Sequence, residues 1–348
     1  MKQKQKQKIL LVSHEMTYTG APRSLLNIAK ILKKSGTEVD VWTLKKGDFQ
    51  REFEKEQIPV SILSKTIGED RLRQYQLIIL NTFFTAHLAE RFQKITRTVL
   101  YIREGRNIPV LVRDCGLHME HIRNANEVVC ISEYAEVFIR ENCMPHKLSV
   151  LHNFVKDDYE GQLNLVRDGR IHFLLSGTYE ERKGFDIAIA AFLRMPEELK
   201  KVTRLHIAGQ MPEWSRGFWE RLRAIYDERI IEHGMIADEE KRLALYRKMN
   251  VFVIPSRDEA CSLVALEGAM LGKALIMSEH VGAQYLDKRK KYIYPTEDVE
   301  ALCRKMCEAT SRRELLIRGM EMRRAYKQAA TEKVYKKEFL KMMKGIFR

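Results

Sequence analysis

The sequence predicts an α/β protein of two tandem domains, each a parallel sheet flanked by helices. Three observations predict it. Short apolar runs alternate with segments of helical apolar spacing, the alternation restarts after a polar stretch near mid-chain, and glycine-bearing loops recur directly after apolar runs. Strand, helix, strand units of this kind imply parallel pairing and a sheet covered on both faces.

In order, residues 9–12 read as a buried strand, with 8–13 as its full extent. Residues 21–34 read as a helix carrying Leu25, Leu26, Ala29 and Leu32, closed by Gly36, and 38–44 as the next strand. Further strands are expected at 77–80, 98–102, 127–131 and 148–151, completing a first domain over 1–155. Residues 156–169, polar with Gly and Asp, read as a linker. A second domain over 170–325 then has strands at 171–175, 202–208, 229–233 and 251–254 and helices at 185–192, 214–225, 239–249 and 263–271. Residues 326–348 read as an amphipathic helix with Tyr335, Phe339, Met342, Met343 and Ile346 on one side and lysines over the rest. Residues 1–7 read as a solvated tail.

Composition narrows the function classes. The 348 residues are 45% hydrophobic and 31% charged, which suits a soluble protein with two sizeable cores. A net charge of +14 favours an anionic partner, and nucleic acid, an acidic membrane face and phosphorylated substrates all qualify. No zinc-finger spacing and no aromatic RNA-binding motif is present, so a nucleic acid partner is not expected. Cys115, Cys130, Cys143, Cys261, Cys303 and Cys307 form no C-x-x-C pair and read as reduced thiols, which points to the cytoplasm. No apolar run approaches the ~20 residues that span a bilayer.

Loops at strand ends carry the chemistry. Gly20 follows the first strand, where it lets backbone approach a phosphate, and Pro22 suits a first helical turn. Gly177 follows the first strand of the second domain, and Arg182 and Lys183 lie just beyond it as adjacent cations able to grip a diphosphate. Gly234 and Met235 follow a third strand. After the strand 251–254, Glu259 stands in a loop and Glu267 a turn or more into a helix, with seven residues between them. On their own these carboxylates fit an acid/base pair or two solvated side chains of an ordinary crossover.

Together the pattern resembles the retaining glycosyltransferases of family 4. Glu259 and Glu267 match that family's E-x(7)-E motif, with Pro255-Ser256, Leu263-Val264, Leu266 and Gly272 in the matching flanks. Lys183-Gly184 matches its lysine-glycine signature, Gly20 its first glycine loop, and Val128 to Ser132 its late N-domain strand. The resemblance implies the GT-B fold: two facing Rossmann-like domains with a cleft between them and final helices crossing back to the first. It implies retaining transfer from a UDP- or GDP-sugar to a glycan or lipid-linked acceptor, in cell-surface polysaccharide synthesis. By the same resemblance Glu259, Arg182 and Lys183 are catalytic, with Glu259 at the donor sugar and the cations on the leaving diphosphate. Glu267 holds the ribose, Gly234 and Met235 take the base, and Gly20, Gly177, Ser262 and Leu263 complete the donor site. The chain contains no D-x-D, so neither a metal nor any other cofactor is expected. Arg103, Glu104 and His14 are the acceptor-side candidates, Arg103 and Glu104 as an orienting pair or as an internal ion pair. A cytoplasmic enzyme, peripheral at an acidic inner membrane face, follows as the expected setting. The alternative is a catalytically silent GT-B protein that binds a glycan or partner.

Two departures touch the donor pocket: Cys261-Ser262 replaces the usual Phe-Gly, and Thr178 replaces a frequent Arg. Cys115, His118 and His121 recur every three residues and suggest metal ligands, but no fourth is recognisable. Residues 268–274 mimic a P-loop with one residue too few and no Ser or Thr after the lysine, which excludes an ATPase reading.

Overall fold

The computed structural model describes residues 7–64 and 67–346. The chain divides into two compact units, Met1–Asn153 and Phe154–Arg348. In the first, strands β1 (Lys8–Ser13), β2 (Glu38–Thr43), β3 (Val60–Ile62), β4 (Leu77–Asn81), β5 (Thr98–Ile102), β6 (Glu127–Cys130) and β7 (Leu148–Val150) form one sheet in the order β3-β2-β1-β4-β5-β6-β7. Every pairing is parallel. Burial runs unbroken along β4, β5 and β6, as a sheet covered on both faces requires. The helix Gly20–Lys34 packs Leu25, Ile28, Ala29 and Leu32 inward, and Gly36, at φ +82°, turns the chain toward β2.

The second unit repeats the plan. Strands β8 (Ile171–Ser176), β9 (Thr203–Ala208), β10 (Ile230–Gly234), β11 (Val251–Ile254), β12 (Ala274–Ser278) and β13 (Ile293–Tyr294) are all parallel, in the order β10-β9-β8-β11-β12-β13. Renumbered from its own first strand this is the order 3-2-1-4-5-6 of a Rossmann domain, and the first unit begins the same way. Its core gathers Phe173, Leu175, Val253, Ile276 and Trp219, whose ring lies 4.2 Å from that of Tyr179. Segment 156–169, expected as a linker, is fastened to this unit: buried Asn164 donates to the carbonyls of Asn250 and Leu315.

Strands β3, β12 and β13 have no counterpart in the sequence reading. β3 and β13 are short, and β12 begins three residues after the helix Leu263–Met270, close behind the expected helix 263–271. The helix expected at 214–225 is Arg216–Arg223, preceded by a 3₁₀ turn, Glu213–Ser215. Helices Val299–Glu308, Arg312–Ala329 and Glu332–Ile346 close the chain. The last buries Tyr335, Phe339, Met343 and Ile346, leaves Met342 half-buried, and sets Tyr335 4.8 Å from Phe154. Residues 1–6 of the expected tail, and Arg348 with the end of the expected last helix, lie outside the described residues. Among the described residues no helix is long and apolar enough to cross a membrane.

The P-loop look-alike is the end of a helix, a turn and the first residue of β12. Gly268 lies inside Leu263–Met270, where a Cβ would stand 2.8 Å from Leu275 Cδ2 and 3.0 Å from the Phe252 ring. Helix and sheet touch here with no room for a methyl group. Gly268→Ala is expected to lower unfolding stability by about 1–3 kcal/mol despite the better helix propensity of alanine. Urea denaturation checks it, and an unchanged or raised midpoint would contradict the packing.

Candidate active site

Strand order decides where a ligand sits in each unit. The order reverses between β8 and β11, so the loops leaving their carboxyl ends diverge and open a crevice. Arg182 and Lys183 follow β8 and Glu259 follows β11. Residues 76 and 77 positions apart in sequence thus meet where the topology places a binding site.

The contact is close. Lys183 Nζ donates to Glu259 Oε2, and Arg182 Nη1 lies 3.5 Å from the same oxygen. Arg182 also donates from Nη1 to the Asp258 carbonyl at 2.8 Å and from Nη2 to Glu180 at 2.5 Å. Burial pushes the Glu259 carboxyl upward, but Lys183 and Arg182 outweigh it and hold the carboxyl below its ordinary value. Arg182 is raised in turn: burial works against its charge, and Glu259 and Glu180 more than offset it.

Backbone geometry fixes both loops. Gly184, at φ +65°, ends the 3₁₀ turn Glu181–Lys183, and a Cβ there would stand 2.0 Å from the Pro255 carbonyl oxygen. Only glycine admits that approach. Arg182 O accepts from Arg257 N at 2.8 Å, and the Arg257 guanidinium binds both Asp186 oxygens and Glu297. Glu259 N donates to His280 O and its carbonyl accepts from Gly282 N, which anchors it beside β12. Sequence reading missed Arg257, Glu180 and His280, whose partners are remote in sequence and leave no local signature.

Glu267 lies inside the helix Leu263–Met270, buried, with Oε1 3.1 Å from Arg242 Nη1. Arg242 is raised, burial opposing and Glu267 favouring its charge. Arg242 was also missed, since it sits among charged neighbours of an ordinary helix, Glu239–Lys248. Ser262 caps the Glu267 helix, its Oγ accepting from Ala265 N at 3.2 Å, and Leu263 is the first helical residue. The N–H groups of that first turn lack intrahelical acceptors and favour an anion or a hydroxyl.

Three glycines stitch the neighbouring loops. Gly177 N donates to Ala208 O and Gly209 N to Gly234 O, at 3.0 and 2.8 Å. Gly209, unmarked by the sequence reading, is the tightest, since its Cβ would stand 1.7 Å from Gly177 O. Gly234, at φ +64°, faces open space, and Met235 beside it is exposed. Glu259, Arg182 and Lys183 come together, therefore, with Glu267, Ser262 and Leu263 on the helix that follows and Gly177, Gly234 and Met235 on adjoining strand ends.

The remaining candidates belong to the first unit. Gly20 is the first residue of Gly20–Lys34. His14 leaves β1 and reaches Thr82 beyond β4, Nδ1 to Oγ1 3.1 Å, across that sheet's own reversal point, while its ring stacks on Phe84 at 5.1 Å. His14 beside it holds the Glu15 carboxyl down at about 2. Arg103 and Glu104 form no ion pair. Arg103 donates to Asn81 and Asn153, whereas the Glu104 carboxylate accepts from the backbone of Phe83 and Arg103 and is raised by burial. Cys115, His118 and His121 share no helical face, because Gly116 at φ +63° ends the helix Ile108–Cys115. Among the described residues no cluster of three or more His, Cys, Asp or Glu is arranged to hold a metal ion.

The Glu259 contact carries a pH signature. Its folded carboxyl is depressed, so its stabilisation is full above the ordinary value of 4.5 and is lost as pH falls through the lowered folded value. On acidification below 4.5 the wild type should lose stability more steeply than Glu259→Gln. Urea midpoints across that range test it, and parallel curves would contradict the ion cluster.

Comparison with known proteins gives a separate match for each half of the chain. Residues 170–312 match the model "Glycosyl transferases group 1", and residues 5–103 match "Glycosyl-transferase family 4". No curated protein matches at a significant level. Among solved structures, Anabaena HepE in complex with UDP is similar at 15% identity over 97% of this chain and 100% of that one, TM-score 0.81. A Rickettsia africae glycosyltransferase is similar at 17% identity over 99% of each chain, TM-score 0.79. The sucrose-phosphate synthase of Thermosynechococcus elongatus is similar at 16% identity over 98% and 99%, TM-score 0.75. These likenesses show the GT-B fold. In chain order, a match to the family 4 glycosyl-transferase model is thus followed by a match to the group 1 glycosyl transferase model.

Proposed function

We propose that this chain moves a sugar from a nucleotide-diphosphate sugar to an acceptor hydroxyl, with retention at the anomeric carbon. The observation that carries the reading is the Lys183–Glu259–Arg182 cluster at the β8/β11 reversal, facing the crevice beside a helix N-terminus. The bond from the anomeric carbon to the diphosphate breaks, and negative charge grows on the leaving oxygen. Lys183 and Arg182 meet that charge, with the first-turn N–H groups at Leu263 adding to them, so these groups favour the transition state over the ground state. The acceptor oxygen bonds to the same carbon from the same face, and its proton passes to the departing diphosphate. Glu259 contacts the donor sugar, Glu267 holds the ribose with Arg242 behind it, and Gly234 and Met235 receive the base. Cations take the part that a divalent metal plays elsewhere.

HepE complexes with UDP and with UDP-glucose support a nucleotide-sugar donor, UDP-linked in the first instance. The acceptor is a glycan or lipid-linked glycan of the cell surface, taken at the first unit near His14, Arg103 and Glu104. The setting is cytoplasmic, at an acidic inner membrane face, in keeping with the net charge of +14. Across a panel of UDP- and GDP-sugars with such acceptors, Lys183→Ala and Glu259→Ala should each cut transfer by about 100-fold or more while the protein stays folded. Wild-type turnover in either variant would contradict the assignment.

A further inference from the structure

The helix Leu263–Met270 has a second end. Its eight residues span about 12 Å, and beyond its C-terminus lies a cavity of about 250 Å³ that the transfer reaction does not use. The floor is rigid: a Cβ on Gly319 would stand 2.2 Å from Gly272 O, so two backbone segments touch there. One wall is Arg323, stacked 4.3 Å over Tyr159 and committed to both oxygens of Asp157 and to Met270 O. Arg324 and Lys327, three residues apart on the helix Arg312–Ala329, line the cavity, are exposed, and form no hydrogen bond or ion pair among the described residues, Lys327 acting on Asp157 only at longer range. No carboxylate lines it, and Asp157 beside it is taken by Arg323. The lining also carries apolar groups: Leu163 and Met320, 48% and 51% exposed, with the Tyr159 ring.

Two cations without an ion pair, beside exposed apolar side chains, match a ligand with the same two halves. We propose that this cavity binds the phosphate of an anionic amphiphile, with Arg324 and Lys327 on the phosphate and Leu163, Met320 and Tyr159 against its apolar part. The ligand is a membrane phospholipid or a soluble phosphorylated amphiphile, which share this chemistry. The site lies wholly in the second unit and does not depend on the donor assignment.

Calorimetric titration of the full chain with dihexanoyl phosphatidate, dihexanoyl phosphatidylcholine and inorganic phosphate tests it. Phosphatidate should bind about tenfold or more tighter than either comparison probe. Arg324→Glu/Lys327→Glu should weaken it by about tenfold or more at an unchanged melting temperature. Met320→Asn, polar but uncharged, should weaken phosphatidate and leave inorganic phosphate unaffected. Should charge reversal disturb folding, Arg324→Gln/Lys327→Gln reports the same loss. Co-sedimentation with phosphatidylglycerol vesicles that the charge variant abolishes supports a bilayer source, and binding of the soluble probe alone supports a soluble one. Phosphatidate bound equally by wild type and charge variant, bound no better than inorganic phosphate, or not bound at all, would overturn the site.

Discussion

The contact of Lys183 and Arg182 with Glu259 is what the second unit is arranged to make. A carboxylate this buried is costly unless cations face it, and these come from the neighbouring strand across the sheet's reversal point. The supporting geometry follows from that demand. Gly184 lets the β8 loop press against Pro255, Arg257 ties both loops to Asp186 and Glu297, and the β12 side holds Glu259 through its backbone. Without ligand, Glu259 and Glu180 balance the two cations. On the proposed function, a diphosphate would compete for charges already engaged and would bind by replacing a carboxylate.

The two units use one plan for different ends. Both begin in the strand order 3-2-1-4, and in both, polar side chains cluster where that order reverses. In the first, His14, Thr82 and Glu104 gather around β1, β4 and β5. Thr82 holds φ +93° while buried, a conformation costly for a β-branched residue and kept only where its surroundings enforce it. In the second unit the corresponding place carries cations.

Much of this was legible in the sequence, because parallel sheets leave strong marks. The buried runs of β4, β5 and β11 read as strands, and Glu259, Arg182 and Lys183 stood out as charges at strand ends. Short strands left too few residues to show a period, and β12 was masked by the helix before it. Site residues escaped when their meaning lay in a remote partner. Arg242 looks like one more helix cation until Glu267 is seen 3.1 Å away, and Gly209 shows nothing until the Gly177 carbonyl fills the space its side chain would need. The ion pair read between Arg103 and Glu104 is not made, because each finds partners remote in sequence, Arg103 at Asn81 and Asn153 and Glu104 at the Phe83 backbone.

The central claim is that the cations beyond β8 receive a diphosphate. The most direct measurement is calorimetric titration of the full chain with UDP and uridine, or GDP and guanosine if the chain prefers guanine, in wild type and in Lys183→Gln. The account predicts that the diphosphate strengthens wild-type binding by about 100-fold over the bare nucleoside. It predicts that Lys183→Gln removes about tenfold of that advantage and leaves nucleoside affinity unchanged. An advantage of the same size in both proteins would contradict it.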